Sequence, residues 1–494
     1  MQQLAHGKDD HQDRHQREVN EQYRIGGEWV PSEGNETIEV ISPHTEEVIA
    51  TVPHASEADI DKAVAAANQA LTAGPWAAMA PAERADLMAA FMGTLAAKSD
   101  DLAQTITAEN GSPLMFSHLG QVGATLMVLD YFTNLTREFP FEEERQGMLA
   151  SVIVRREPVG VVGGIVPWNV PLFVGMLKLA PALASGSTIV LKPSPETPLD
   201  SYLLAEALEE AGIPKGVVNI VAAGREVGEH LVRHPGVDKI AFTGSTTAGR
   251  HIASICGQQL KRCTLELGGK SAAIILDDAD LDATLDQMLG MSALMNNGQA
   301  CVAQTRILAS RERYPDLIDG IARRIEAMKV GDPAELDTEI GPLVAERQRD
   351  RVEKYIVQGQ EEGAELVIGG GRPAGQDTGW YVEPTLFAKV TNDMRIAQEE
   401  IFGPVLAAIA FDDVDDAVAI ANDTTYGLSG SVWTTDAEVG LDVARRVRTG
   451  NMNINGFMIE PCAPFGGFKE SGVGREGGPE GLAAYLEDKA INRF

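Results

Sequence analysis

Residues 160–168 read GVVGGIVPW. The run is short and apolar, with no polar alternation, and Pro167 and Trp168 close it. That pattern predicts a strand buried on both faces. Reading outward, a mostly apolar helix runs to Ala184, and TIVLKPS (188–194) is the next strand. PLDSYLLAEALEEAG (198–212) is a helix and VVNIVA (217–222) a strand. A short helix follows, then KIAFTGS (239–245) as strand, TTAGRHIASIC (246–256) as helix and KRCTLEL (261–267) as strand. Strands alternating with helices over short links predict an α/β fold with a parallel, doubly wound sheet. Ligands of such sheets sit at the carboxyl ends of the strands. PWN, KPS and FTGS fall there.

Upstream, residues 23–52 read as strands with turns. Ser56 is a suitable N-cap for a helix over 57–73. Pro81 suits the first turn of another, to about residue 98. A further helix is expected over 119–137, then a polar turn and a β-ribbon over 138–157. Beyond Gly269 a second α/β unit begins. Its strands include AAIIL, ILAS, VLAAIAF and GSVWT, and its helices 314–328 and 346–362. Residues 482–494 read as a strand-like arm that pairs with a neighbour. No internal repeat is visible, and residues 1–18 read as a polar, His-rich, disordered tail.

The 494 residues allow two or three domains. A formal charge of -31 argues against nucleic acid and against an anionic membrane surface. No apolar run approaches a membrane span, and the start lacks the apolar core of a signal peptide. The four cysteines form no CxxC pair, so neither a disulfide framework nor a metal site is expected. Free thiols fit a cytoplasmic location.

NNGQACVAQTR (296–306) holds Cys301, and TLELGGKS (264–271) holds Glu266. A thiol attacks carbonyl carbon well, and proximity to helix N-termini is expected to lower its pKa from about 8.5. A carboxylate at an apolar strand end is costly unless used or paired. Cys256 and Cys263 read as inert packing cysteines. Cys462 lies in a loop, either packed or lining an entrance. Asn169 of PWN either caps a helix or donates to an oxyanion. FTGST (242–246) either caps a helix or holds a phosphate. Lys192 of KPS is placed to reach ribose or phosphate oxygens. Glu400 and Phe402 stand in EEIFGPV, whose Phe-Gly-Pro also fits a plain turn. No G-x-G-x-x-G fingerprint occurs in a suitable context.

Together these blocks resemble the aldehyde dehydrogenase superfamily from about Tyr23 to the C-terminus. PWN, KPS, FTGST, LELGGKS, GQACVAQTR, EEIFGPV and PFGGFKESGVGRE stand in the family's order. The resemblance implies a Rossmann-type cofactor domain without the glycine fingerprint, an α/β catalytic domain and a small β oligomerisation arm. The expected boundaries are 19–137 with 158–262 for the cofactor, 263–478 for catalysis, and 138–157 with 479–494 for assembly as a homodimer or homotetramer. It implies Cys301 as nucleophile and Glu266 as the base that hydrolyses a thioester. Asn169 would stabilise the oxyanion, and Glu476 would help relay the proton. The dinucleotide, NAD in preference with NADP left open, would lie against Ile165, Pro167, Trp168, Lys192, Gly244, Ser245, Gly268, Glu400 and Phe402. Pro195 stands where NAD-preferring members often carry Glu, and the neighbouring Glu196 points elsewhere or replaces it. Val170, Val174 and Leu177 replace bulkier residues of small-aldehyde members. With Met127, Phe457, Met458, Ile459 and Phe465 they imply a wide apolar tunnel. KPSPETPL and GGPEGL resemble bacterial members acting on terpenoid, steroid-side-chain or aromatic aldehydes. A CoA-acylating relative is disfavoured by Glu266, and an inactive relative by the intact Cys301, Glu266 and Asn169.

Overall fold

A computed structural model describes residues 22–494. The tail expected over residues 1–18 lies outside the described residues.

The 160–168 stretch forms the strand Val161–Ile165, all five residues buried. It sits at the centre of an eight-stranded sheet. Arg262–Glu266, Lys239–Thr243, Val161–Ile165, Thr188–Lys192 and Val218–Ile220 lie side by side in that order, all parallel. The order reverses beside Val161–Ile165, so the crevice of a doubly wound sheet opens between it and Lys239–Thr243. Antiparallel strands close both edges, Gly472–Val473 on one and Gln22–Ile25 with Glu28–Pro31 on the other. Helices cover both faces, and Pro171–Ser185 is buried at almost every position.

The second sheet has seven strands. Ala272–Ile275, Arg306–Ser310, Val405–Phe411 and Gly430–Trp433 are its fully parallel centre. All five residues of Arg262–Glu266 pair in the first sheet. The changeover therefore falls after Glu266, and the boundary expected at 262/263 moves past this strand because hydrogen bonding keeps it whole.

The ribbon is Glu142–Gln146 against Ser151–Pro158. The C-terminal strand Leu486–Arg493 joins it inside the same chain, in register from Leu486 opposite Pro158 to Arg493 opposite Ser151. One edge of the arm is thus paired within the chain, and the strand forms the outer edge of this three-stranded sheet. Residues 479–485 do not belong to the ribbon: helix Gly478–Ala483 packs on Pro171–Ser185 and buries Leu482.

Helix Glu57–Ala73 starts at Ser56 through a capping box with Asp59, as its sequence predicts. Two features were not anticipated. Ser99–Asn110 is a further helix, ended by Gly111 in the left-handed region. The helix expected over 119–137 begins as a π-helical turn, Ser117–Gly123, before Ala124–Glu138.

Candidate active site

A cavity of about 680 Å³ lies where the carboxyl ends of the first sheet meet the second unit. Asn169, Thr243, Gly244, Glu266 and Glu476 reach it from one side, and Cys301, Glu400 and Phe402 from the other. Parallel strands point their carboxyl ends the same way, so residues far apart in sequence meet here.

Cys301 follows a sharp backbone coil. Asn296, Asn297 and Gly298 have φ of 51°, 60° and 71°, all left-handed. Non-glycine residues rarely adopt this, and asparagine tolerates it best. The coil is held by side chains. Asn297 Nδ2 donates to the Gly111 and Pro342 carbonyls at 2.9 Å each, and its Oδ1 accepts from Gly341 N at 2.7 Å. Asn296 Nδ2 donates to the Asn169 carbonyl at 2.9 Å, while Asn169 Nδ2 donates to the Gln299 carbonyl at 2.8 Å. Asn110 Nδ2 also binds the Asn169 carbonyl, at 3.1 Å. Asn169 is therefore locked to the cysteine loop. One of its two amide hydrogens is spent there and the other remains for a ligand. The network through Asn110, Asn296 and Asn297 was missed in the sequence; the paired asparagines before Gly298 were its one visible sign.

The Cys301 thiol departs from its expectation. Its pKa is pushed up to about 12, chiefly by burial and then by Glu400 and Glu266, while the Cys301 and Val302 amides pull it down. These neighbours favour the thiol over the thiolate.

Glu266 is almost fully buried, and neither carboxyl oxygen has a hydrogen-bond partner in the protein. Burial and the neighbouring Glu476 drive its pKa well above the usual range, against Lys178 and Arg475. Glu476 accepts from Lys178 Nζ at 2.8 Å, and the same ammonium donates to Thr243 Oγ1 at 2.7 Å. Lys178 was not anticipated. It is the one lysine in the apolar helix text of 171–185, a signal in plain view. A proton-accepting carboxyl backed by an ionic pair can activate water at Cys301.

On the opposite wall the Glu400 carboxylate accepts from Gly269 N at 3.0 Å, and burial raises its pKa to about 7. A Cβ at Gly268 would lie 2.6 Å from Glu400 Oε2, so only glycine leaves this seat open. Phe402, with φ of 65°, meets Trp168 edge-on at 5.3 Å. Ser245 caps helix Thr246–Gln259 at the crevice. A carboxylate, an aromatic shelf and a helix start around an open crevice fit a dinucleotide. Ile165 and Lys192 are paired on adjacent strands and do not line the cavity. Lys192 Nζ donates to the Ala223 and Pro193 carbonyls at 2.7 and 2.9 Å, because a buried ammonium must satisfy its donors. One of its three hydrogens is left for a ligand. Glu196 is hydrogen-bonded to Ser194 and ion-paired with Arg347.

All eight expected tunnel residues line the cavity: Val170, Val174, Leu177, Met127, Phe457, Met458, Ile459 and Phe465. Phe173, Val174 and Leu177 share one face of the helix Pro171–Ser185, and Val170 stands at its N-cap. Phe173, Phe116, Leu119, Met295 and Val302 are further walls that the sequence did not single out. Leu119 belongs to the π-helical turn Ser117–Gly123, whose wider ladder is not readable from residue spacing. Cys462 is exposed and is not part of the wall, although Pro461 is. Among the described residues no group of three or more His, Cys, Asp or Glu is placed to hold a metal, and no helix is long and apolar enough to cross a membrane.

A doubly wound sheet whose crevice opens onto a half-buried cysteine and an unpartnered carboxyl is the architecture of a nucleotide-binding oxidoreductase. The sequence matches the aldehyde dehydrogenase family over residues 29–491, and the chain belongs to that family. It is 47% identical over 468 residues to geranial dehydrogenase of Castellaniella defragrans, covering 94% of this chain and 97% of that protein. Its structure is similar to the crystal structure of Mycobacterium tuberculosis aldehyde dehydrogenase complexed with NAD+, with a TM-score of 0.94 and 48% identity over 95% of this chain and 97% of the other. It is also similar to a mutant of Pseudomonas syringae aldehyde dehydrogenase C complexed with NAD+ and octanal, at a TM-score of 0.92 and 41% identity over 96% of each chain.

Proposed function

We propose that this chain oxidises a bulky apolar aldehyde, of terpenoid type, to its carboxylic acid with NAD. The observation that carries the reading is the unpartnered Glu266 carboxyl in the same cavity as Cys301. Cys301 passes its proton to Glu266 by way of water as its sulfur bonds the aldehyde carbon, and the free Asn169 hydrogen meets the oxyanion. The Cys301 amide faces the same centre. The nicotinamide ring supplies the hydride acceptor when bound. Glu400 and Phe402 hold the ribose and ring, and Gly244 and Ser245 the diphosphate. Glu266 then takes a proton from water as its oxygen attacks the thioester carbon; the carbon–sulfur bond breaks, and the new carboxyl gives its proton to the Cys301 sulfur and leaves as a carboxylate. Glu476 and Lys178 carry each proton away from Glu266.

The substrate class rests on the tunnel. Its walls are aliphatic or aromatic, so binding follows apolar area at roughly 25 cal/mol per Å2. The Castellaniella relative named for geranial and the Pseudomonas complex with octanal point the same way. The two-unit division and the ribbon also match an enzyme that assembles through its small sheet, as a homodimer or homotetramer; sedimentation velocity with residues 486–494 deleted tests this.

The enzyme is tested with aldehydes of graded size, NAD or NADP, and NADH or NADPH absorbance as readout. Geranial with NAD is expected to give the highest kcat/KM. Preference for acetaldehyde over every larger aldehyde overturns the substrate reading. Cys301→Ala is expected to abolish turnover. Glu266→Gln is expected to leave one burst of NADH and slow hydrolysis by about 100-fold or more; undiminished steady turnover overturns the base role.

A further inference from the structure

Lys239 is a second buried lysine near the base, and the reaction outlined above gives it no task. It opens the strand Lys239–Thr243 and is 1% exposed. Side chains four apart on a strand share a face. Lys239 therefore points to the same side of the sheet as Thr243, which holds Lys178. On the adjacent strand Thr264 and Glu266 share that side by the same rule. Lys239 Nζ donates to Thr264 Oγ1 at 2.6 Å and sits 4.7 Å from the centre of the Tyr485 ring. The Tyr485 hydroxyl is buried without a partner.

This is an unusual concentration of charge in a core. Two buried ammonium groups, Lys178 and Lys239, share this side of the sheet with two buried carboxyls: Lys178 acts on both Glu266 and Glu476, Lys239 on Glu476, and the Arg475 guanidinium also acts on Glu266. An ammonium out of water needs an anion or a set of acceptors. Lys239 has one hydroxyl and one ring face. Its remaining compensation is the field of Glu476. The other titratable groups acting on it are Lys178 from the covering helix, Cys263 from the adjacent strand and Cys256 from helix Thr246–Gln259. Tyr485 closes the remaining side.

We propose that Lys239 is a positioning residue of the base site: a second buried cation that, with Lys178, lets the Glu266–Glu476 carboxyl pair hold negative charge. Lys178 is committed to Glu476 and Thr243 by direct contacts. Lys239 touches neither carboxyl and acts through space, where low polarisability makes a charge felt further than in water. Burial lowers the pKa of Lys239 to about 8, and Glu476 raises it in opposition. The ammonium form is thus maintained by the very anion it supports.

The inference rests on Glu266 being the base, and the experiment separates the two. The pH profile of steady NADH formation is measured for the full-length enzyme with NAD and a saturating aldehyde, beside the NADH burst. Lys239→Met keeps the shape and removes the charge. Its ascending limb is expected about one pH unit higher, with the burst amplitude retained. Lys239→Arg is expected to restore the profile. Thr264→Val, which takes away the acceptor without touching the lysine, is expected to move it in the same direction by less. That variant decides the matter if Lys239→Met does not fold. Superimposable profiles, with only the melting temperature lowered, overturn the inference and leave Lys239 a packing residue, as does a shift that arginine fails to reverse. If Glu266→Gln still turns over at full rate, the base assignment fails instead.

Discussion

Lys178 and Glu476 form an ion pair at 2.8 Å, with the two side chains 0% and 1% exposed. Breaking one side of such a pair strands the other charge. Lys178→Met is expected to cost about 3–5 kcal/mol of stability. Glu476→Gln, which retains a hydrogen-bond acceptor, should cost less. Urea unfolding followed by tryptophan fluorescence checks the order of the two variants.

The thiol of Cys301 should behave as a protonated group across the neutral range. Its folded pKa lies above the ordinary value, so a thiolate accumulates only as pH rises toward about 12. Alkylation of the free enzyme by iodoacetamide is expected to climb by about tenfold per pH unit between neutrality and the pKa. Peptide mapping of Cys301 against pH reads this directly. A plateau below pH ~8 would refute a protonated resting thiol.

Gly268 is small because Glu400 stands where its Cβ would be. Gly268→Ala brings a methyl carbon to 2.6 Å from Glu400 Oε2, so the carboxylate must leave its seat beside Gly269 N. The expected outcome is a KM for NAD raised about tenfold or more, since one charge-assisted hydrogen bond of roughly 1.5–3 kcal/mol is lost or bent. Thermal stability should change little by comparison. Isothermal titration with NAD measures the loss without relying on turnover.

The alternation of Val161–Ile165, Thr188–Lys192, Val218–Ile220, Lys239–Thr243 and Arg262–Glu266 with helices was legible because buried parallel strands are written as unbroken apolar runs. Cys301, Glu266, Glu400 and Asn169 were legible through their motifs, and the cavity brings them together. What escaped depends on distance through space. The Cys301 pKa follows chiefly from burial and then from carboxyls over 30 positions away in sequence, so a loop motif cannot encode it. Lys192 carried a motif but not the fact that Ala223 and Pro193 occupy two of its donors. The π-helical turn Ser117–Gly123 has a residue pattern compatible with ordinary helix, and packing alone selects it. The strand Leu486–Arg493 announced itself as a strand, while its partner in the same chain was a matter of topology.

The tunnel yields the last expectation. Val174 lines the cavity from the helix Pro171–Ser185 and is half-buried, so a larger side chain there intrudes on the tunnel and not on the core. Leu177, one turn further on, is 2% exposed, and enlarging it would strain the packing. Val174→Phe is therefore the cleaner probe of substrate size. It should lower kcat/KM for geranial by about 10-fold or more, because each displaced methylene is worth roughly 1–3 kcal/mol in a hydrophobic pocket. Activity on acetaldehyde should be unchanged or improved, since a small substrate needs only the reacting end near Cys301. The ratio of the two kcat/KM values in one preparation cancels differences in active-enzyme content. An equal loss on both aldehydes would mean that the phenylalanine disturbs Asn169, five residues away on the same segment, and not the tunnel.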